Sequence, residues 1–222
     1  DRDFATHLAR TERLRSGASL TAVTGELSRA LGVRAAILPM CDEPVATRVR
    51  TPEGVLEFQE YFVRHHHEDT VLGIEFQGAD RATITPSVQD AFANAEVIVV
   101  CPSNPIVSIG PILAIPGMRQ AIGERRVPTV AVSPIVGGQA IRGPADRMLR
   151  GLGHEVSAYG VATLYRGLVD GIVIDEIDAT LATRIEDLGV RVAVAPTIMV
   201  DETARERLAR QVLDFARQIL LS

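Results

Sequence analysis

The sequence predicts an α/β fold: a mostly parallel sheet with helices on both faces over residues 86–222, beside a smaller, mainly helical region with edge strands over residues 1–85. Three observations predict it. Four short, nearly continuous apolar runs (EVIVV, VPTVAVSP, GIVIDEID and VRVAVAP) read as strands buried on both faces. Helix-like stretches alternate with them, which is the βα rhythm of a parallel sheet. At 222 residues the chain suits one large domain, or a core with a smaller insertion.

Taken in order, the first segment reads as two short helices. Ser19 is placed to cap the second, Leu20, Val23, Leu27 and Leu31 recur at helical spacing, and Gly32 is placed to close it. RAAILPM (34–40) and PVATRVRTPEG (44–54) read as extended, VLEFQEYFVRHHH (55–67) as partly helical and VLGIEFQGA (71–79) as a strand. From Pro86 onward PSVQDAFANA is helical and EVIVV is a strand. A further helix is expected near Gly117–Gly123. VPTVAVSP is a strand, GPADRMLRGLG a helix ending on glycine, GIVIDEID a strand, TLATRIEDLG a helix and VRVAVAP a strand. The last helix starts near Asp201, with Leu208, Val212, Phe215 and Ile219 on one face.

Composition narrows the function classes. The formal charge of −5 argues against a nucleic-acid backbone as the main partner. The longest apolar runs are too short to span a bilayer, and the start carries no signal-peptide pattern. Cys41 and Cys101 offer neither a disulfide framework nor a metal-ligand spacing, so a reducing cytoplasm is the expected compartment. No Walker lysine loop and no GxGxxG fingerprint is present.

In parallel sheets, ligands bind beyond the carboxyl ends of the strands. Three loops qualify: CPSNPIVSIGPILAIPG (101–117), SPIVGGQAIRGP (133–144) and DEIDAT (175–180). The first two share a chemical style. Ser103, Asn104, Ser108, Ser133 and their backbone amides are neutral hydrogen-bond donors, and Gly110, Gly137 and Gly138 permit close backbone approach. Prolines fix the geometry in advance and lower the cost of ordering. This suits a phosphate or diphosphate held by dipoles, or a base edge held by amides, with Arg142 adding charge. The plainer alternative is that such loops merely end their strands. Asp1, Asp3 and Asp42 read from spacing alone as helix caps and a turn. Asp178 reads as a strand-end group or the cap of the following helix. Neighbouring side chains of the His65–His67 tract point in different directions, which suits a solvated segment better than a metal site.

Four blocks carry a resemblance: LPMCDEPVATRV, FQEYFV, CPSNPIVSIGPILAIPGMR and VAVSPIVGGQAIRGPADRM. In this order they resemble the 2-phospho-L-lactate transferase family of coenzyme F-420 biosynthesis, over Asp1 to about Asp178, and look closest to its actinobacterial branch. The resemblance implies a Rossmann-like core with a smaller helical domain, a homodimer and a magnesium-dependent transfer. A lactyl- or enolpyruvyl-diphospho-guanosine donates its phospho-organic acid to a side-chain hydroxyl of the deazaflavin Fo, and GMP leaves. By motif match, Asp3, with Asp1 beside it, would orient the hydroxyl or bind Mg²⁺. Asp42 and Met40 of the PM-x-D motif would contact Fo or metal. Pro102, Ser103, Asn104 and Ser108 would face the guanosine diphosphate portion, with Ser133, Gly137 and Gly138 as the adjoining wall. The family's opening strand and glycine-rich loop lie upstream of the first residue given, so Ser103 and Asn104 are expected to be one half of a donor pocket. A non-catalytic nucleotide- or nucleotide-sugar-binding regulator on a related fold is the alternative.

Overall fold

The computed structural model describes residues 2–64, 70–124 and 127–221. Helix α1 (Arg2–Arg15) buries no side chain. It is tied to α2 (Leu20–Ala30) by Arg13, whose Nε donates to Glu26 at 3.1 Å. Ser19 caps α2 as expected, its Oγ accepting from the Ala22 amide at 3.2 Å, and Gly32 follows the helix in the left-handed region at φ 74°. RAAILPM, expected to be extended, forms no strand. It finds no sheet edge to pair with: Ile37 stays exposed, while Leu38 and Met40 pack sideways against the main core.

Strands β1 (Ala46–Thr51), β2 (Gly54–Glu57) and β3 (Gly73–Gln77) come next. They make an antiparallel sheet of order β2-β1-β3, with Val49 opposite Leu56 on one side and Ile74 on the other. The expectation that strands of this region join the parallel sheet or its edge is corrected: they form a sheet of their own. The tight Thr51–Gly54 connection closes a hairpin, which only antiparallel strands allow. One π-helical turn, Glu60–Arg64, succeeds β2. Val49, Tyr61 and Val71 are fully buried beneath this sheet, together with Met148 from the main domain.

The core then alternates. Helix α3 (Pro86–Asn94) starts at its Thr85 cap with Pro86 in the first turn, and leads to β4 (Ile98–Val100), α4 (Ile109–Leu113), α5 (Met118–Gly123) and β5 (Thr129–Val132). A small hairpin, β6 (Ile135–Val136) and β7 (Gln139–Ala140), precedes α6 (Ala145–Gly151) and α7 (Ala158–Tyr165). β8 (Gly171–Ile174), a 3₁₀ segment (Glu176–Leu181), α8 (Ala182–Glu186), β9 (Arg191–Val194) and α9 (Glu202–Leu220) complete the chain. β4, β5, β8 and β9 are all parallel and lie in that order. One face packs on the larger core, including Ile172, Ile174, Val161 and Leu149. α9 covers the other, setting Leu208, Val212 and Phe215 on Val130, Val132 and Val173. Each such burial contributes roughly 1.5–3 kcal/mol. No helix among the described residues is long and apolar enough to cross a membrane.

Candidate functional site

All four parallel strands end on the same rim, and a cavity of about 570 Å³ opens there. That volume lies within the usual range for small-molecule sites. Its walls come from the loops after β4, β5 and β9, from the segment before α6, from the start of α9, and from Phe58 and Phe62 beside the antiparallel sheet.

The loop after β4 contributes Pro102, Ser103, Asn104, Val107 and Ser108. Asn104 is the loop's internal brace. Its Oδ1 accepts from the amides of Ile106 (2.9 Å) and Val107 (3.3 Å), and its backbone carbonyl accepts from Ser108 and Ile109. Its Nδ2 lies 3.3 Å from Met148 Sδ. The side chain expected to meet a ligand therefore shapes the wall that meets it. Ser108 stands at the start of α4, makes no capping bond and is exposed toward the cavity. Gly110 is glycine because the Phe76 ring takes the space: a Cβ there would lie 2.8 Å from Phe76 Cζ.

Ser133 also lines the cavity but is 2% exposed. Its hydroxyl donates to the Ile135 carbonyl at 2.9 Å and accepts from the Ile135 amide at 3.2 Å, launching the β6–β7 hairpin. Gly137 and Gly138, at φ 57° and 76°, form the two-residue turn of that hairpin. They stand behind the wall rather than on it, and the cavity meets Val136 instead. The Gly137 amide is already bound, donating to the Asp178 carboxylate at 3.0 and 3.2 Å.

DEIDAT, the third rim loop, holds its neighbours in place. Asp178 braces the hairpin turn, and it is Asp175 that caps the 3₁₀ segment, accepting from the Ile177 amide at 3.2 Å. Asp175 Oδ2 also accepts from the Thr197 amide at 2.8 Å and the Thr197 hydroxyl at 2.9 Å. Burial works to raise the Asp175 pKa, but the hydrogen bonds from Thr197, Ile177 and Glu176 outweigh it and hold the carboxyl below its ordinary value. Thr197 in turn lines the cavity.

The other expected residues lie elsewhere. Asp42 Oδ1 accepts from the Thr21 amide at 2.7 Å, so it shares with Ser19 the unpaired amides at the start of α2. Asp3 is exposed in the first turn of α1, in a shallow hollow with Thr6, His7 and Leu31. Met40 is half-buried against the core. None of these three lines the cavity. Asp1 and His65–His67 lie outside the described residues. Among the described residues no group of three metal-ligating side chains converges.

Two contributors to the cavity walls are not foreseen from the sequence, the Thr197–Val200 loop and Arg205. A third, the Phe58–Phe62 pair, whose rings stack at 5.8 Å and 22°, belongs to the EFQEYF stretch, which reads from the sequence as local core packing with a place beside a planar ligand as the alternative. The first has a usable signal, because VRVAVAP reads as a strand and the rim rule applies equally to the loop after it. Phe58 and Phe62 lie in FQEYF, but their place at the cavity depends on how the antiparallel sheet docks.

Comparison with known proteins agrees with this architecture. The family profile described as 2-phospho-L-lactate transferase CofD matches residues 1–214. The chain is 42% identical to the 2-phospho-L-lactate transferase of Methanosarcina mazei over 213 residues, 96% of this chain and 70% of that one. It is also 42% identical to the phosphoenolpyruvate transferase of Streptomyces griseus over 224 residues, 99% of this chain and 70% of that one. A solved structure of a UPF0052 family member from Bacillus halodurans superposes with a TM-score of 0.69 at 16% identity, covering 93% of this chain and 70% of that one, and so supports the fold. The chain belongs to the 2-phospho-L-lactate transferase (CofD) family of transferases.

Proposed function

We propose that the chain moves a phospholactyl or phosphoenolpyruvyl group from a diphospho-guanosine donor to the side-chain hydroxyl of Fo, 7,8-didemethyl-8-hydroxy-5-deazariboflavin, in coenzyme F-420 biosynthesis. The hydroxyl oxygen of Fo bonds to the phosphorus that carries the organic acid. The bond from that phosphorus to the bridging oxygen breaks, GMP leaves with the electron pair, and the hydroxyl proton is released. One observation carries this reading: the CPSNPIVS loop, braced from within by Asn104, presents Ser103 and Ser108 to a cavity at the carboxyl ends of the parallel strands. Phosphoryl transfer needs positioning and charge stabilisation more than covalent help, and a rigid donor-bearing wall supplies positioning. The names of the relatives support the transferred group.

In this reading Ser103 and Ser108 meet the diphosphate, while Ser133, Gly137 and Asn104 hold the wall behind it. Asp3 and Asp42 are proposed, on the motif match alone, to act on the acceptor side, and Asp1 and Asp3 to share a Mg²⁺ brought by the phosphates. A cytoplasmic homodimer is the proposed working form. The test is product mass after incubation with Fo and each of the two donors. An Fo adduct heavier by the phospho-organic acid is expected, and its fine mass tells lactyl from enolpyruvyl. No adduct with either donor, combined with binding of a sugar or nicotinamide nucleotide, overturns the proposal in favour of a regulator.

A further inference from the structure

We propose that Arg142 and Arg205 form a cationic jaw that grips a diphosphate in the rim cavity, opposite the serine loop. The sequence already offers Arg142 as a charge on the rim; nothing in the motif match assigns a role to Arg205, whose place beside it rests on the fold. Arg142 lies just past the β6–β7 hairpin and precedes the Gly143–Pro144 turn into α6. Arg205 lies in the first turns of α9, a helix fixed by its Asp201 cap (2.7 Å to the Ala204 amide) and by the burial of Leu208 and Val212. The two segments are far apart in sequence, yet both side chains line one cavity.

The electrostatics of that cavity are one-sided. Among the described residues that line it there are two guanidiniums and no carboxylate, in a chain whose overall formal charge is −5. Neither arginine makes an ion pair with a described residue. Of the acidic groups of the neighbouring rim loop, Asp175 and Asp178 are buried and turned to Thr197 and Gly137, and Glu176 is exposed but does not line the cavity. Two uncompensated guanidiniums facing a shared space with serine hydroxyls match a doubly charged anion with several oxygens. Such groups also act where charge develops on the leaving phosphate, which neutral amides and hydroxyls stabilise less. The guanidinium fork, not charge alone, is the recognition element, so lysine is a poor replacement.

This deepens the transferase reading but does not depend on its substrates. The experiment therefore uses inorganic pyrophosphate as the first probe, titrated calorimetrically into the full chain and into R142A, R205A, R205K and the double alanine variant. GDP is the second probe. Wild type is expected to bind pyrophosphate, with affinity falling as salt rises. Each alanine is expected to weaken binding about ten- to hundredfold, with the same thermal midpoint as wild type because both side chains are exposed. R205K is expected to resemble R205A more than wild type. In the transfer assay the variants should lower kcat/KM for the donor and leave KM for Fo unchanged. Unchanged pyrophosphate affinity in the double variant overturns the jaw, as does a wild-type chain that binds no pyrophosphate. If the arginine variants lose pyrophosphate but no Fo adduct ever forms, the jaw stands and the transferase reading falls.

Discussion

Asp175 is 8% exposed, and all of its described bonding is directed at protein groups. It acts on the cavity through Thr197, which makes it a positioning residue. Replacing it with alanine leaves the Thr197 amide and hydroxyl buried without an acceptor, at a cost of about 1–3 kcal/mol. The sign of its pH dependence comes from the lowered pKa. The folded form holds the proton less tightly than the unfolded chain, so the carboxylate stabilises the fold above its unfolded pKa. That stability is lost as pH falls through the lower, folded value. Urea midpoints of wild type and D175N should therefore differ most at neutral pH and converge in acid. A gap that stays constant down to the acid limit would show that Asp175 contributes packing and not charge. Asp178 differs in its target: it fixes the hairpin turn through Gly137, so D178N should shift the β6–β7 wall and leave the Thr197 loop in place.

At the scale of elements, the parallel strands are legible in the sequence and several smaller pieces are not, for physical reasons. VAV and GIVI are apolar on both faces because the two central strands are covered on both faces, and that leaves a continuous run in the sequence; EVIVV, at the sheet edge, keeps the run although Val99 is exposed. β6 and β7 are two residues each, too short to show alternation, and α4 lies within a Pro-Gly stretch that reads as loop. α7 has no polar stripe to set a helical period: Ala158, Gly160, Val161, Ala162 and Tyr165 are all buried. The serines of the candidate site are legible from their place after a strand. Arg205 is not, although it stands in the first turn of α9 just past the β9 rim loop, because its local pattern does not set it apart from the other charged residues of that helix. The hairpin turn offers a direct check. Both glycines hold positive φ, and Gly138 would set an added Cβ no closer than 3.6 Å to another atom, so a substitution there meets backbone strain and no clash. G138V should cost about 1–2 kcal/mol through the left-handed backbone, and G138N clearly less, as thermal or urea unfolding would show. Equal losses would mean that the turn relaxes out of its present conformation.

At the scale of the whole molecule, the cavity lies between two separately built units, and its shape depends on how they are joined. The antiparallel sheet brings Phe58 and Phe62 to one side, and the parallel sheet's loops form the rest. The joint is centred on Met148. It is fully buried on α6, packs with Val49, Tyr61 and Val71 under the antiparallel sheet, and meets Asn104 Nδ2 through its sulfur at 3.3 Å. One side chain thus touches both the brace of the serine loop and the floor of the opposite unit. Truncation to alanine should cost about 2–5 kcal/mol, while leucine, of nearly the same volume, should cost under about 1.5 kcal/mol. The functional consequence separates joint from filler. If the joint sets the cavity, M148L will fold almost normally yet weaken pyrophosphate binding, because leucine keeps the volume and loses the sulfur that holds Asn104. If Met148 only fills space, M148L will match wild type in both chemical denaturation and calorimetry, and the two units will be held in register by the surrounding apolar contacts alone.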